Sequence, residues 1–437
     1  MIKKLKILFP ATLFSLAFPS PALAYLDPGT GSMLVSALVG LAATLFFLLK
    51  SSWYKLLSLS YRLLGQSPPQ SPGGLVFYSE GRQYWTTFQP VLEELEARGE
   101  AVLYLSSDEQ DPGLRREWRH ISTRCLGMGN RGFAALNMLE AEICVMTTPG
   151  LDVLQIRRSP GVKHYAHLVH AVTDMAYYKL YAFDYFDSVL CAGPHQLASL
   201  RHLEKIRGLP LKQLLETGCC YMDALAEELD NLGTGAPIPR TPASFSSRRL
   251  LIAPTWGNNG LFNRFGLDLI LPLLEAGHSL CLRPHPQSFI SEKPLLGKLR
   301  TALEGKNVCW DERPGPLEAM LEADALISDL SGIVFDYAFI LERPAITVDF
   351  EPDPRGKEAA DLPWKAWELE VLPDLGGRIR PEDIASLPEI LAALPDPREF
   401  VARMRALREK SLFNFRRSGA VAADQLLELR QRLREET

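Results

Sequence analysis

Two short runs in the second half of the chain bring together side chains that bind anions. Arg283-Pro284-His285-Pro286 closes the apolar segment Ser279-Leu280-Cys281-Leu282, and Ser328-Asp329-Leu330-Ser331-Gly332 closes Asp324-Ala325-Leu326-Ile327. Both apolar segments read as buried strands, and ligands of open parallel sheets bind beyond the carboxyl ends of such strands. Arg283 offers a planar fork of donors for phosphate oxygens, and an imidazolium at His285 adds a second positive donor. Pro284 and Pro286 stiffen the loop that carries both. Ser331 is placed to cap the apolar helix that begins at Ile333, where unpaired backbone N–H groups form an anion site. Together with Ser328, Asp329 and Gly332, this helix start becomes the second wall of a phosphate pocket. A third strand-end loop, Ala253-Pro254-Thr255-Trp256-Gly257-Asn258-Asn259-Gly260, offers Thr255 and Asn258 as further polar contacts. The plain alternatives stay open: a surface Arg–carboxylate pair, an ordinary helix cap and a simple Asn-Asn-Gly turn.

A histidine cluster, His164, His167 and His170, lies further upstream. Spacing by three would suit metal ligation on a helix face, but no acidic or sulfur partner stands nearby, so no metal is expected. Tyr165-Ala166-His167-Leu168-Val169 reads instead as a strand, which aims alternate side chains to opposite faces. His170, last on that strand, is then the candidate general base, and three structural histidines are the competing reading.

The elements that must position these groups follow a regular alternation. Leu75–Tyr78, Ala101–Leu105, Glu142–Met146 and Ser188–Cys191 are strand-like, with a helix expected from Tyr84 to Arg98. A Gly-, Pro- and Ser-rich break from Asn231 to Ser247 precedes a second series at Leu250, Leu280, Ala325 and Ala345. Strands alternating with helices point to βαβ units, so the expected fold is α/β, two Rossmann-like domains facing a cleft. Pro397 to Glu436 is strongly helical.

The chain has 437 residues, 47% hydrophobic and 23% charged, which suits a folded protein with two cores. A net charge of −5 gives no basic field for nucleic acid. Its seven cysteines lack CxxC spacing, so neither a zinc site nor a disulfide framework is indicated, and reduced thiols in a cytoplasmic domain are expected. Residues 1–24 resemble a signal peptide or a first membrane segment, ending in Ala22-Leu23-Ala24. Ser32 to Leu49 carries no charge and is long enough to span a bilayer. Lys50, Lys55 and Arg62 follow it, which puts the bulk of the chain on the cytoplasmic face of a bacterial inner membrane.

These runs, in this order, resemble the CDP-glycerol glycerophosphotransferase family, the membrane-associated GT-B enzymes of teichoic-acid type. The similarity rests on His170, Gly218 to Asp223, Ala253-Pro254-Thr255-Trp256, Arg283-Pro284-His285-Pro286, and Ser328-Asp329-x-Ser331 with Phe335-Asp336-Tyr337. The family's His-Gly-Thr-Pro run reads His170-Ala171-Val172-Thr173 here, and its Gly-Tyr-Pro-Arg-x-Asp run reads Gly218-Cys219-Cys220-Tyr221-Met222-Asp223. The resemblance implies a transferase that needs no cofactor and moves glycerol phosphate, or another polyol phosphate, from a CDP-activated donor to a lipid-linked or polymer acceptor. It implies that His285 and the Ser328–Gly332 helix start hold the pyrophosphate, and that His170 stands on the acceptor side. The expected organisation is a signal or membrane segment (1–24), a transmembrane helix (30–50), a linker (51–74), an acceptor domain (75–240), a nucleotide-binding domain (248–396) and C-terminal helices (397–437). A GT-B glycosyltransferase or sugar-nucleotide enzyme, and a non-catalytic nucleotide-binding membrane protein, are the alternatives.

Overall fold

The computed structural model describes residues 69–232, 248–313, 315–350, 352–394 and 397–436, with residues 40, 41 and 44 near the start. Two wholly parallel sheets organise the chain from Ser67 onward, which forms one unit. The first sheet contains β1 (Leu75–Ser79), β2 (Val102–Ser106), β3 (Ile121–Cys125), β4 (Ala141–Met146), β5 (Val162–Leu168), β6 (Ser188–Cys191) and β7 (Gln213–Glu216), in the order β3-β2-β1-β4-β5-β6-β7. The second contains β8 (Arg249–Ile252), β9 (Ser279–Leu282), β10 (Val308–Trp310), β11 (Ala325–Ser328), β12 (Ala345–Val348) and β13 (Gly376–Ile379), in the order β10-β9-β8-β11-β12-β13. Both orders are doubly wound, with the strand sequence reversing between β1 and β4 and again between β8 and β11. The expected α/β class with parallel sheets is the one observed.

The longer helices are α1 (Trp85–Ala97), α2 (Pro194–Arg207), α3 (Cys220–Asn231), α4 (Leu267–Glu275), α5 (Lys293–Ala302), α6 (Ile333–Ile340), α7 (Pro397–Ser411) and α8 (Ser418–Glu435). Inner strands such as β1, β6, β11 and β12 are buried along their whole length, because helices cover both faces of a parallel sheet. The two C-terminal helices do not stand apart as a separate region. Ala422, Ala423, Leu426 and Leu429 of α8 share a core with Phe77, Phe88 and Leu92, so the end of the chain completes the first half. Phe400 and Met404 of α7 join a core that draws from both sheets.

Among the described residues no helix is long and apolar enough to cross a membrane. The expected signal segment, the Tyr25–Ser32 run and nearly all of the expected transmembrane helix lie outside the described residues, as does most of the break between the halves.

Candidate functional site

At the reversal point of the second sheet, the loops after β8 and β11 are fastened by one carboxylate. Asp329 Oδ1 accepts from the Thr255 backbone N–H at 2.8 Å and Oδ2 from the Leu261 N–H at 3.3 Å. Ser328 Oγ donates to the Ala253 carbonyl at 2.6 Å. Both side chains are buried, and burial raises the Asp329 carboxyl to about 6. They are therefore fasteners of the Ala253–Gly260 loop, with both side chains engaged inside the protein.

The loop that these residues hold is open to solvent. Trp256 is half exposed and its ring centroid lies 6.5 Å from that of His285. Asn258 is exposed and Thr255 half-buried, while the Gly257 N–H is fixed by Glu292 at 2.7 Å. Gly332 is exposed, with open space where a Cβ would stand. Gly332, not Ser331, is the N-cap of α6, and no side chain caps that helix, so the expected capping role of Ser331 is corrected. The Ser331, Val334 and Phe335 N–H groups are bonded to the carbonyls of Asp329, Ser331 and Gly332, which leaves those of Gly332 and Ile333 for an anion.

Arg283 and His285 both occupy the loop after β9, but neither has the expected electrostatic state. The Arg283 guanidinium is paired with Asp311, a buried carboxylate at the end of neighbouring β10 that Arg313 also contacts. Burial pushes Asp311 up, but the two arginines outweigh it and hold the carboxyl below its usual value. His285 is half-buried; burial lowers its pKa, against a weaker pull upward from Glu292. The Gln287 N–H donates to His285 Nδ1 at 3.1 Å, which leaves the proton of the neutral ring on Nε2. His285 is a neutral donor, not the imidazolium expected.

The first sheet carries a matching arrangement. Glu80 follows β1 and Thr148 follows β4, and Thr148 Oγ1 donates to Glu80 Oε2 at 3.2 Å across the reversal point. β5 ends at Leu168, so His170 lies two residues past the strand, not on its last position. The rings of Tyr84 and Tyr178 meet the His170 ring edge-on at 5.3 and 6.1 Å. Its Nδ1 is buried with no partner, and burial holds its pKa down to about 4. The other two histidines are buried. His164 Nε2 pairs with Ser188 Oγ at 2.9 Å. His167 is fully buried between Phe183 and Phe186, with neither ring nitrogen bonded and its pKa lowered to about 3.

Two of the quoted runs are structural. Gly218 has φ of +103°, and a Cβ there would lie 2.3 Å from Ser418 Oγ and 2.4 Å from the Phe413 carbonyl oxygen. Asp223 accepts from the backbone N–H groups of Arg416 (2.7 Å) and Ser418 (2.5 Å), anchoring the start of α8. In Phe335-Asp336-Tyr337, Phe335 stacks on Trp367, Tyr337 donates to the Ala323 carbonyl, and Asp336 accepts from Tyr221 of the other half at 2.9 Å. Glu80, Thr148, Tyr84 and Tyr178 belong to no motif. Glu80 and Thr148 nonetheless come just after apolar strands, the same position that marks Arg283 and Asp329.

Residues 181–354 match the model of the CDP-Glycerol:Poly(glycerophosphate) glycerophosphotransferase family. That segment belongs to the glycerophosphotransferase family. The match takes in the loops after β8, β9 and β11 and stops short of His170, which precedes it. The chain thus carries a CDP-glycerol glycerophosphotransferase-like segment. Among solved structures it is similar to the wall teichoic acid polymerase TagF, with 15% identity and a TM-score of 0.54 over 89% of this chain and 98% of that one. A variant of the same polymerase soaked with CDPG gives 14% identity and a TM-score of 0.54 over 88% and 98%. At such identity the likeness is one of fold. No curated protein sequence matches the chain.

Proposed function

We propose that the chain transfers glycerol phosphate, or another polyol phosphate, from a CDP-activated donor to a hydroxyl of a lipid-linked or cell-envelope polymer acceptor. The reading rests chiefly on one observation: the loops after β8, β9 and β11 meet at the reversal point of the second sheet, inside the segment that matches the family. His170 takes the proton of the acceptor hydroxyl. The acceptor oxygen then bonds to the phosphorus that carries the polyol, and the bond from that phosphorus to the bridging oxygen breaks, releasing CMP. The His285 Nε2–H and the backbone N–H groups of Gly332 and Ile333 receive the charge that builds on the departing phosphate, while Thr255 and Asn258 line the nucleotide side. Preorganised donors of this kind supply a large part of a catalytic effect, and removal of one commonly costs about a hundredfold or more. Arg283 acts through Asp311, fixing the β9 and β10 loops beside one another. The reading also places the part after Lys50 on the cytoplasmic face of the inner membrane, where a tether confines enzyme and lipid-linked acceptor to one surface.

The test is incubation of the purified chain with labelled CDP-glycerol, CDP-ribitol and UDP-sugars, following which nucleotide is released. CMP release from a CDP-polyol that depends on added acceptor is expected. Release from UDP-sugars alone would move the chain to glycosyl transfer. In the same assay His170→Ala should reduce transfer by roughly a hundred- to ten-thousandfold while donor affinity changes little.

A further inference from the structure

We propose that Cys281 and Cys309 form a reversible disulfide between β9 and β10, and that closing it displaces the loop that carries Arg283 and His285. The disulfide stands on the strand geometry; its effect on the donor rests on the transferase reading above.

Cys281 and Cys309 are register partners in neighbouring parallel strands. They also share a face. Leu280 and Leu282, with Val308 and Trp310, pack into the core on one side of the sheet, so strand alternation sends both cysteines to the other side. Partnered Cα atoms of adjacent strands stand about 4.8 Å apart, within the roughly 4.4–6.8 Å that a disulfide spans. Exposure divides the roles of the two thiols. β10 is an edge strand and Cys309 is exposed, whereas Cys281 is buried. Burial, and then the hydrogen bond with Cys309, push the Cys281 thiol up to about 12. Cys281 is therefore protonated near neutrality, and Cys309 is where an oxidant enters. With oxidised glutathione as the oxidant, the Cys309 thiolate attacks one of its sulfurs and the first glutathione leaves as a thiolate. Cys281 then gives up its proton, its sulfur attacks that of Cys309, and the second glutathione leaves as a thiolate. Two protein thiols lose two electrons and two protons in all, and one glutathione disulfide takes them up to become two thiols.

The bond has a mechanical consequence for the strand ends. Arg283 and Asp311 follow the two cysteines by two residues and are ion-paired with one another. A disulfide holds its Cβ atoms about 3.8 Å apart, closer than the strand spacing of about 4.8 Å, so closing it draws β10 toward β9 by roughly 1 Å. The Arg283–Asp311 pair and the loop with His285 move with the strands. A misplacement of about 1 Å is enough to cost about a hundredfold in rate.

The test is treatment of the full chain with oxidised glutathione, then with dithiothreitol, read by peptide mass mapping, hydrogen exchange and titration with CDP-glycerol. The expected product links Cys281 to Cys309, while the other exposed cysteine, Cys125, carries glutathione. Exchange should change at Gln287 and Ser288, whose N–H groups bond to His285. CDP-glycerol should bind at least about fivefold more weakly, and dithiothreitol should reverse both effects. In Cys281→Ala, glutathione should stay on Cys309; in Cys309→Ser, the oxidant should change neither exchange nor affinity. Absence of the link in the wild-type chain, whether Cys309 stays free or keeps glutathione, overturns the proposal. A link that leaves exchange at Gln287 and Ser288 unchanged overturns it as well. A link that moves the loop but leaves CDP-glycerol affinity as it was overturns the effect on the donor. A link that moves the loop in a chain whose reduced form does not bind CDP-glycerol supports the disulfide and removes the transfer reading instead.

Discussion

A histidine held near pKa 4 makes a weak base, yet it is neutral and ready at any pH near neutrality. The acid limb of kcat/KM should therefore fall close to pH 4, well below the ordinary histidine value of 6.5. A pH-rate profile measured on the wild-type chain checks this, and a limb near 6.5 would mean that His170 is not sealed between Tyr84 and Tyr178 in the working enzyme. His167 gives the complementary prediction for stability. Its pKa is about 3 in the fold and near 6.5 in the unfolded chain, so below pH 6.5 the unfolded state binds the extra proton and stability falls. At about 1.4 kcal/mol per pH unit, His167→Leu should gain roughly 2 kcal/mol on the wild type between pH 7 and pH 5. Urea denaturation at the two pH values measures the difference.

The loops, more than single side chains, define the nucleotide side, and Asp329 is their common fastening. Asp329→Ala leaves two backbone N–H groups without an acceptor and should cost about 2 kcal/mol or more of stability, with a fall in donor affinity as the β8 loop loosens. Thermal unfolding and donor titration on the same variant test both effects, and unchanged donor affinity in a destabilised protein would detach that loop from the site. The inner strands of both sheets were legible as apolar runs because parallel strands are covered on both faces. The four edges, β3, β7, β10 and β13, were not, because one side of each meets solvent and their residues are largely polar or half-exposed. The same limit governs the site. Strand-end position located Arg283, His285 and Asp329, but whether a charged group faces a ligand or a buried partner depends on residues far away in the chain. Asp311 for Arg283, and Thr255 with Leu261 for Asp329, carry no local signal.

Across the molecule, the two sheets are joined by hydrogen bonds as well as by packing. Leu180 N–H donates to the Gly356 carbonyl (3.2 Å), Glu358 N–H to Tyr178 (2.9 Å) and Ala359 N–H to Ala176 (2.7 Å). Arg207 of α2 binds Asp184 on its own side and Glu358 and Asp361 on the other. Glu358 is fully buried, so Arg207→Ala leaves its charge unpaired and should cost about 3–5 kcal/mol. In calorimetry this should appear as a lower Tm, and as two transitions where the wild type shows one. The return of α8 to the first sheet has a consequence for synthesis. A ribosome releases residues in order, so the core around Phe77, Phe88 and Leu92 stays only partly covered until α8 emerges. The first half is thus completed only once α8 has been made, and a stop codon near Gly419 would leave its core without Ala422, Ala423, Leu426 and Leu429.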